Sequence, residues 1–103
     1  MENKPPSILI VDDVPSNIEL LGNVLAGEDY DISFANSGPQ ALETVSFAKP
    51  DLILLDISMP GMDGYEVTEI LKSKEKTRDI PVLFLTALNN TEKIIKGFDV
   101  GGV

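Results

Sequence analysis

Three apolar runs in this chain each end in groups that could do chemistry. Ile8-Leu9-Ile10-Val11 is stopped by Asp12-Asp13, Leu52-Ile53-Leu54-Leu55 by Asp56, and Val82-Leu83-Phe84-Leu85 by Thr86. Brought together, these ends would supply three carboxylates and a hydroxyl. Packed carboxylates repel, and each raises its neighbours' pKa unless a cation intervenes. A hard divalent ion with oxygen ligands removes that repulsion. Mg²⁺, or Mn²⁺ in its place, is held by one or two carboxylates plus waters, with Asp56 as the central member of the set. Each residue alone has a plainer reading. An Asp at a strand end is often a turn former or the N-cap of the next helix, and Asp12-Asp13 could cap a helix beginning at Pro15. Thr86 could be a buried hydroxyl bonded to backbone. Three strands ending this way in one chain carry more weight than any one of them.

Composition narrows the chemistry further. The 103 residues hold eight Lys and Arg against seventeen Asp and Glu, a formal charge of −9, with no His, Cys or Trp. That excludes a thiolate nucleophile, a zinc finger, a histidine base and an imidazole switch, and leaves carboxylates, hydroxyls, lysines and a bound metal. The negative balance argues against sequence-independent nucleic-acid binding, which needs Lys and Arg to displace counterions, and suits a divalent cation or a basic partner. The hydrophobic share of 43 % and charged share of 24 % are those of an ordinary globular chain. No run of ~18 apolar residues is present, and Met1 to Pro6 is no signal peptide, so no membrane association and a cytoplasmic location are expected.

The elements that must position these groups follow from the pattern. Unbroken apolar runs such as 8–11, 52–55 and 82–85 suit strands buried on both faces of a parallel sheet. Asp31-Ile32-Ser33-Phe34-Ala35 alternates polar with apolar and suits an edge. Pro15 fits a first helical position, and Ile18, Leu21, Val24 and Leu25 repeat at helical spacing until Gly27. Ser37-Gly38-Pro39-Gln40 reads as a capping box leading into Ala41, Leu42, Val45 and Ala48. Val67, Ile70 and Leu71 mark a third helix, and Ile94, Ile95 and Phe98 a fourth that stops at Gly101-Gly102. The alternation predicts an α/β doubly wound parallel sheet with strand order 2-1-3-4. In such sheets ligands sit outside the carboxyl ends of the strands, near the point where the order reverses. All three polar ends gather there.

Other motifs have structural readings. Pro60, Gly61 and Gly64 shape the loop after the third strand, with the glycines allowing positive φ. Met59 and Met62 fill that loop. Lys72, Lys74, Lys76 and Arg78 form a basic, solvated end of the third helix. There is no G-x-x-x-x-G-K-[ST] and no strand-linked G-x-G-x-x-G, so no phosphate cradle of those kinds.

Taken together, Ile8-Leu9-Ile10-Val11-Asp12-Asp13, the block from Pro50 through Asp56-Ile57-Ser58-Met59-Pro60-Gly61-Met62-Asp63-Gly64, and Ile80-Pro81-Val82-Leu83-Phe84-Leu85-Thr86-Ala87 resemble the receiver domain of two-component response regulators, a flavodoxin-like fold. The similarity runs from Ser7 to Val103, after a disordered leader over residues 1–6. It implies a phosphoacceptor signalling switch. Asp56 would take a phosphoryl group from a histidine kinase or phosphotransfer protein in a Mg²⁺-dependent reaction, with the change passed to an output domain beyond Val103 or to a partner. It further implies that Asp13 binds the metal directly, Asp12 through water, and the backbone carbonyl of Ser58 as a further ligand. By the same resemblance Thr86 bonds a phosphoryl oxygen, Ala87 leaves it room, Ser58 and Leu88 tune dephosphorylation, and the helix from Pro15 to Ala26 receives the kinase.

The family also carries a Lys on a fifth strand and a fifth helix beside it, and this sequence stops at Val103 before both. Lys93 and Lys96 fall on the expected fourth helix, out of register for that Lys. The domain is therefore expected to be C-terminally incomplete, with self-association through the exposed edge of the fourth strand. Two rival functions stand beside the switch. One is a phosphorylation-independent interaction module with a receiver fold, although such variants usually lose a pocket acid and Asp12, Asp13 and Asp56 are all present. The other is a haloacid-dehalogenase-like phosphatase, which wants a second Asp two residues after the nucleophile, where this chain has Ser58, and a cap domain that it lacks. The protein is expected not to be an enzyme, beyond slow loss of phosphate from its own Asp.

Overall fold

The computed structural model describes residues 5–85. The elements run β1 (Ser7–Val11), α1 (Pro15–Leu25), β2 (Asp31–Ala35), α2 (Gly38–Ala48), β3 (Leu52–Asp56), α3 (Gly64–Ser73) and β4 (Val82–Leu85). The four strands form one parallel sheet in the order β2-β1-β3-β4, as the sequence predicts. β1 is buried from Ile8 to Val11, because it is flanked on both sides. β2, with its polar alternation, takes an edge. The expected fourth helix at Ile94, Ile95 and Phe98 lies outside the described residues, as do Lys93 and Lys96. No helix among the described residues is long and apolar enough to cross a membrane.

Strand alternation sends side chains into two layers. Leu9, Val11, Ile53, Leu55 and Val82 meet Ala41 and Val45 of α2 and Val67 and Leu71 of α3. On the other face Ile8, Ile10 and Leu54 meet Ile18, Leu21 and Leu25 of α1. Helices therefore cover both faces, the arrangement that right-handed crossovers between parallel strands require. Below β1, Asp51 and Ser7 lock the strand entrances. Ser7 N–H donates to Asp51 Oδ2 at 2.8 Å, and Asp51 N–H donates to Ser7 carbonyl at 2.7 Å. Pro6 carbonyl accepts from Asp31 N–H at 2.8 Å.

The helix ends refine the sequence reading. α1 begins at Pro15 with Val14 as N-cap and no side-chain cap bond, so neither Asp12 nor Asp13 is its cap. In α2, Ser37 accepts from Gln40 N–H at 3.2 Å as expected, but Gln40 Oε1 reaches Asn36 N–H at 2.6 Å instead of returning to Ser37. The full capping box is at α3. Asp63 Oδ1 accepts from Glu66 N–H at 2.9 Å, and Glu66 Oε1 accepts from Asp63 N–H at 3.3 Å. The Asp-x-x-Glu spacing was its sequence signal. α2 ends on Lys49 in the left-handed region, φ 49°, a role more often given to Gly.

Lys72 corrects the view of the basic cluster as only a solvated end. Its Nζ donates to the carbonyls of Arg78 at 3.0 Å and Ile80 at 3.1 Å, tying the turn from Lys74 to Ile80 back onto α3 ahead of β4.

Candidate functional site

The site grows from strand register. Val11 pairs with Leu55 across β1 and β3, so Asp12 and Asp56 stand at the same level on adjoining strands. Asp56 in turn pairs with Leu85 at the end of β4. Thr86, Ala87 and Leu88 lie outside the described residues. Of the predicted site residues, the structure therefore brings together Asp12, Asp13 and Asp56, with Ser58 two positions further on. One carboxylate oxygen from each of the three Asp lies within 4.8 Å of the others.

Asp12 is 4 % exposed and Asp56 about half buried. The Asp12 carboxylate is held by two donors. Oδ1 accepts from Val14 N–H at 2.9 Å, and Oδ2 accepts from the Asn17 side-chain amide at 3.2 Å. Its own N–H donates to Ala35 carbonyl at 3.1 Å, which anchors the strand end to β2. Asn17 carries no sequence motif. Only the first turn of α1 folding back over the end of β1 shows its contact.

Asp56 is the perturbed member. Burial first, then the charge of Asp12 and a hydrogen bond with Asp13, push its carboxyl from the ordinary 3.8 up to about 7. The Ser58 N–H opposes this only weakly. It stands 3.4 Å from Asp56 Oδ1, beyond the usual range for such a bond. Burial and neighbouring carboxylates both disfavour the charged form, and a strongly perturbed carboxyl of this kind marks a candidate functional position.

The loop beyond Asp56 is held tightly. Gly64 N–H donates to Ile57 carbonyl at 2.8 Å, and a Cβ on Gly64 would stand 2.5 Å from the carbonyl oxygen of Asp56 and 2.9 Å from Ile57 Cα. Gly64 therefore serves close approach of α3 to the backbone that carries Asp56. It is not the positive-φ residue of the loop. That role belongs to Gly61, at φ 83°. Met59 is buried, and Met62 packs against Gly38, where an added Cβ would come within 2.9 Å of its side chain. Both methionines are loop packing, as the sequence suggested.

The donor set fits a hard divalent cation. It offers carboxylate oxygens, close enough to share one ion, in a pocket where burial first and then its neighbours' charge disfavour the ionised form of the central carboxyl. Three carboxylates thus gather at the carboxyl edge of a doubly wound parallel sheet, where such folds place their ligands. The chain belongs to the response regulator receiver domain family of two-component signalling, which it matches over residues 8–103. It is 46 % identical over 94 residues to the response regulator PleD of Caulobacter vibrioides, a match covering 91 % of this chain and 21 % of PleD. It is 39 % identical over 101 residues to the DNA-binding response regulator MtrA of Mycolicibacterium smegmatis, covering 98 % of this chain and 43 % of MtrA. The chain thus spans less than half the length of these curated relatives. Among solved structures, the N-terminal domain of a response regulator receiver protein from Methanoculleus marisnigri superposes with a TM-score of 0.84 at 39 % identity, covering 94 % of this chain and 79 % of that one.

Proposed function

We propose that this domain is a phosphorylatable switch in which Asp56 receives a phosphoryl group from a histidine kinase or phosphotransfer protein. The observation that carries the reading is the half-buried Asp56 with oxygens of Asp12 and Asp13 within 4.8 Å. In the transfer, an Asp56 carboxylate oxygen forms a bond to phosphorus as the phosphorus–nitrogen bond of the donor phosphohistidine breaks. The imidazole leaves with the nitrogen electron pair, and the product is an acyl phosphate on Asp56.

A carboxylate is a weak nucleophile, so position and charge balance must supply the rate. The end of β3 fixes the direction of Asp56, and Gly64 lets α3 press against its backbone so that the direction holds. Asp13 as direct ligand, Asp12 through water, Asp56 itself and the Ser58 carbonyl would hold Mg²⁺ or Mn²⁺. Bound there, the ion would offset the charge that phosphoryl transfer spreads over three equatorial oxygens. Only the ionised form of Asp56 can attack, so displacing its proton is part of readying the site.

The acyl phosphate adds roughly −1.5 to −2 charges at the carboxyl edge. Thr86 is assigned to bond one phosphoryl oxygen and Ala87 to leave it space, with Ser58 and Leu88 setting how long the bond survives. The phosphate remains on the protein itself, so the domain is a signal carrier and not an enzyme. The protein is proposed to work in the cytoplasm; this domain receives phosphate through the α1 face and passes the change to an output domain or partner, and does not itself bind nucleic acid or membrane.

The test is intact-mass measurement after incubation with Mg²⁺ and a small phosphodonor, with Asp56→Asn alongside. One added phosphoryl group, absent from Asp56→Asn and from samples with chelator, supports the reading. No adduct on a folded wild-type protein, or an adduct that persists in Asp56→Asn, overturns it.

A further inference from the structure

Among the described residues, Asn17 is the one side chain of α1 that reaches the acidic pocket through a hydrogen bond, and no motif accounts for it. Its amide Nδ2 lies 3.2 Å from Asp12 Oδ2. Asp12 Oδ1 is taken by Val14 N–H at 2.9 Å. Both oxygens of a carboxylate that is 4 % exposed are therefore gripped from the α1 side. A carboxylate has about four lone-pair directions. With one on each oxygen occupied by these donors, the others remain for the pocket where Asp13 and Asp56 lie within 4.8 Å.

Physically, this is what a ligand carboxylate needs before an ion arrives. A free Asp side chain samples rotamers and must be ordered on binding, which costs affinity. A carboxylate fixed by two donors has already been ordered by the fold. Asn17 is itself exposed and stands in the first turn of α1, where its N–H already bonds the Val14 carbonyl at 3.0 Å. The helix therefore does not depend on its side chain, and the amide is free to serve Asp12.

We infer that Asn17 is a positioning residue for the cation site: its side-chain amide orients Asp12 and thereby sets the affinity of the pocket for a divalent ion. This inference rests on the metal-binding part of the proposed function. Hydrogen-bond partners of ligating groups commonly change metal affinity by about 10- to 100-fold when removed. Asp12 is assigned the outer place, through water, so the effect belongs at the lower end, about tenfold.

The experiment is calorimetric titration of the full-length protein with Mg²⁺ alone, and separately with Mn²⁺, for wild type, Asn17→Ala and Asn17→Gln, with thermal melting of each in chelator. Affinity in Asn17→Ala should fall about tenfold for both ions while its melting temperature stays near that of wild type. Asn17→Gln keeps the amide donor on one more methylene and should recover most of the loss. Equal affinities in wild type and Asn17→Ala overturn the inference and leave the metal site standing. Losses of equal size in Asn17→Ala and Asn17→Gln would assign the effect to the helix entry and overturn it as well. If wild type itself binds neither ion, the metal reading falls, and the inference with it.

Discussion

Asp56→Asn should make the cation-free protein more stable, and by an amount that depends on pH in a defined way. The Asp56 carboxyl titrates near 7 in the folded protein, against 3.8 ordinarily. At ~1.4 kcal/mol per pH unit, that interval corresponds to ~4 kcal/mol. Asp56 is only about half buried, and solvent screens it, so we expect ~1–2 kcal/mol in practice. The sign follows from proton binding. Between about pH 4 and pH 7 the folded state keeps a proton on Asp56 that the unfolded state has released, so stability falls as pH rises across that window and is level above it. Asn cannot ionise and escapes the loss. The variant should match wild type at pH 4, gain steadily, and lead by ~1–2 kcal/mol at pH 8, which for a domain of this size is a shift of roughly 4–8 °C per kcal/mol. The assay is urea unfolding followed by circular dichroism, in chelator, at closely spaced pH values, taking the difference between the two proteins so that other titrating groups cancel. Mg²⁺ at about 100 times its dissociation constant should then stabilise wild type by ~2.7 kcal/mol and the variant by less. A difference that is the same at pH 4 and pH 8, or a wild type that is the more stable at pH 8, would refute the assignment of Asp56 as the strained centre of the cluster.

The same proton governs ion binding. Mg²⁺ affinity should hold steady above pH 7 and weaken by up to about tenfold per pH unit below it, with close to one proton released at pH 6 in calorimetry across buffers; an affinity unchanged between pH 5 and 8 would count against competition at Asp56. Gly64→Ala places a Cβ 2.5 Å from the Asp56 carbonyl oxygen, so α3 must retreat. Stability should drop by ~1–3 kcal/mol and Mg²⁺ should bind more weakly, and retention of both would disprove the close-approach role. Lys72→Met keeps the apolar stem but abandons the carbonyls of Arg78 and Ile80, for an expected loss of ~1–2 kcal/mol in urea unfolding with Mg²⁺ affinity unchanged at the far end of the sheet.

The order of elements and their faces is legible in the residues because burial leaves a periodic mark. Ile8 to Val11 and Leu52 to Leu55 are unbroken because β1 and β3 are flanked on both sides, whereas Asp31 to Ala35 alternates because β2 has an open edge. With parallel pairing and right-handed crossovers, those patterns already imply that Asp12, Asp13 and Asp56 share one end of the sheet. They do not give distances. The 4.8 Å grouping of oxygens depends on Val11 pairing with Leu55, and a register one residue away would turn alternate side chains to the opposite face.

Some site features have no sequence period to reveal them. The grip of Asn17 on Asp12 joins residues whose contact depends on how α1 leaves β1. Gly64 looks like a loop glycine until Asp56 carbonyl is found against it, and Lys49 ends α2 in a conformation its residue type does not announce. Lys72 reads as one more surface charge, yet it closes the turn before β4. The division has a physical cause. Hydrophobic burial acts on every residue of an element and so writes a repeat into the chain, while hydrogen bonds, steric contacts and the raised pKa of Asp56 act between single atoms that only the folded backbone brings within a few ångströms.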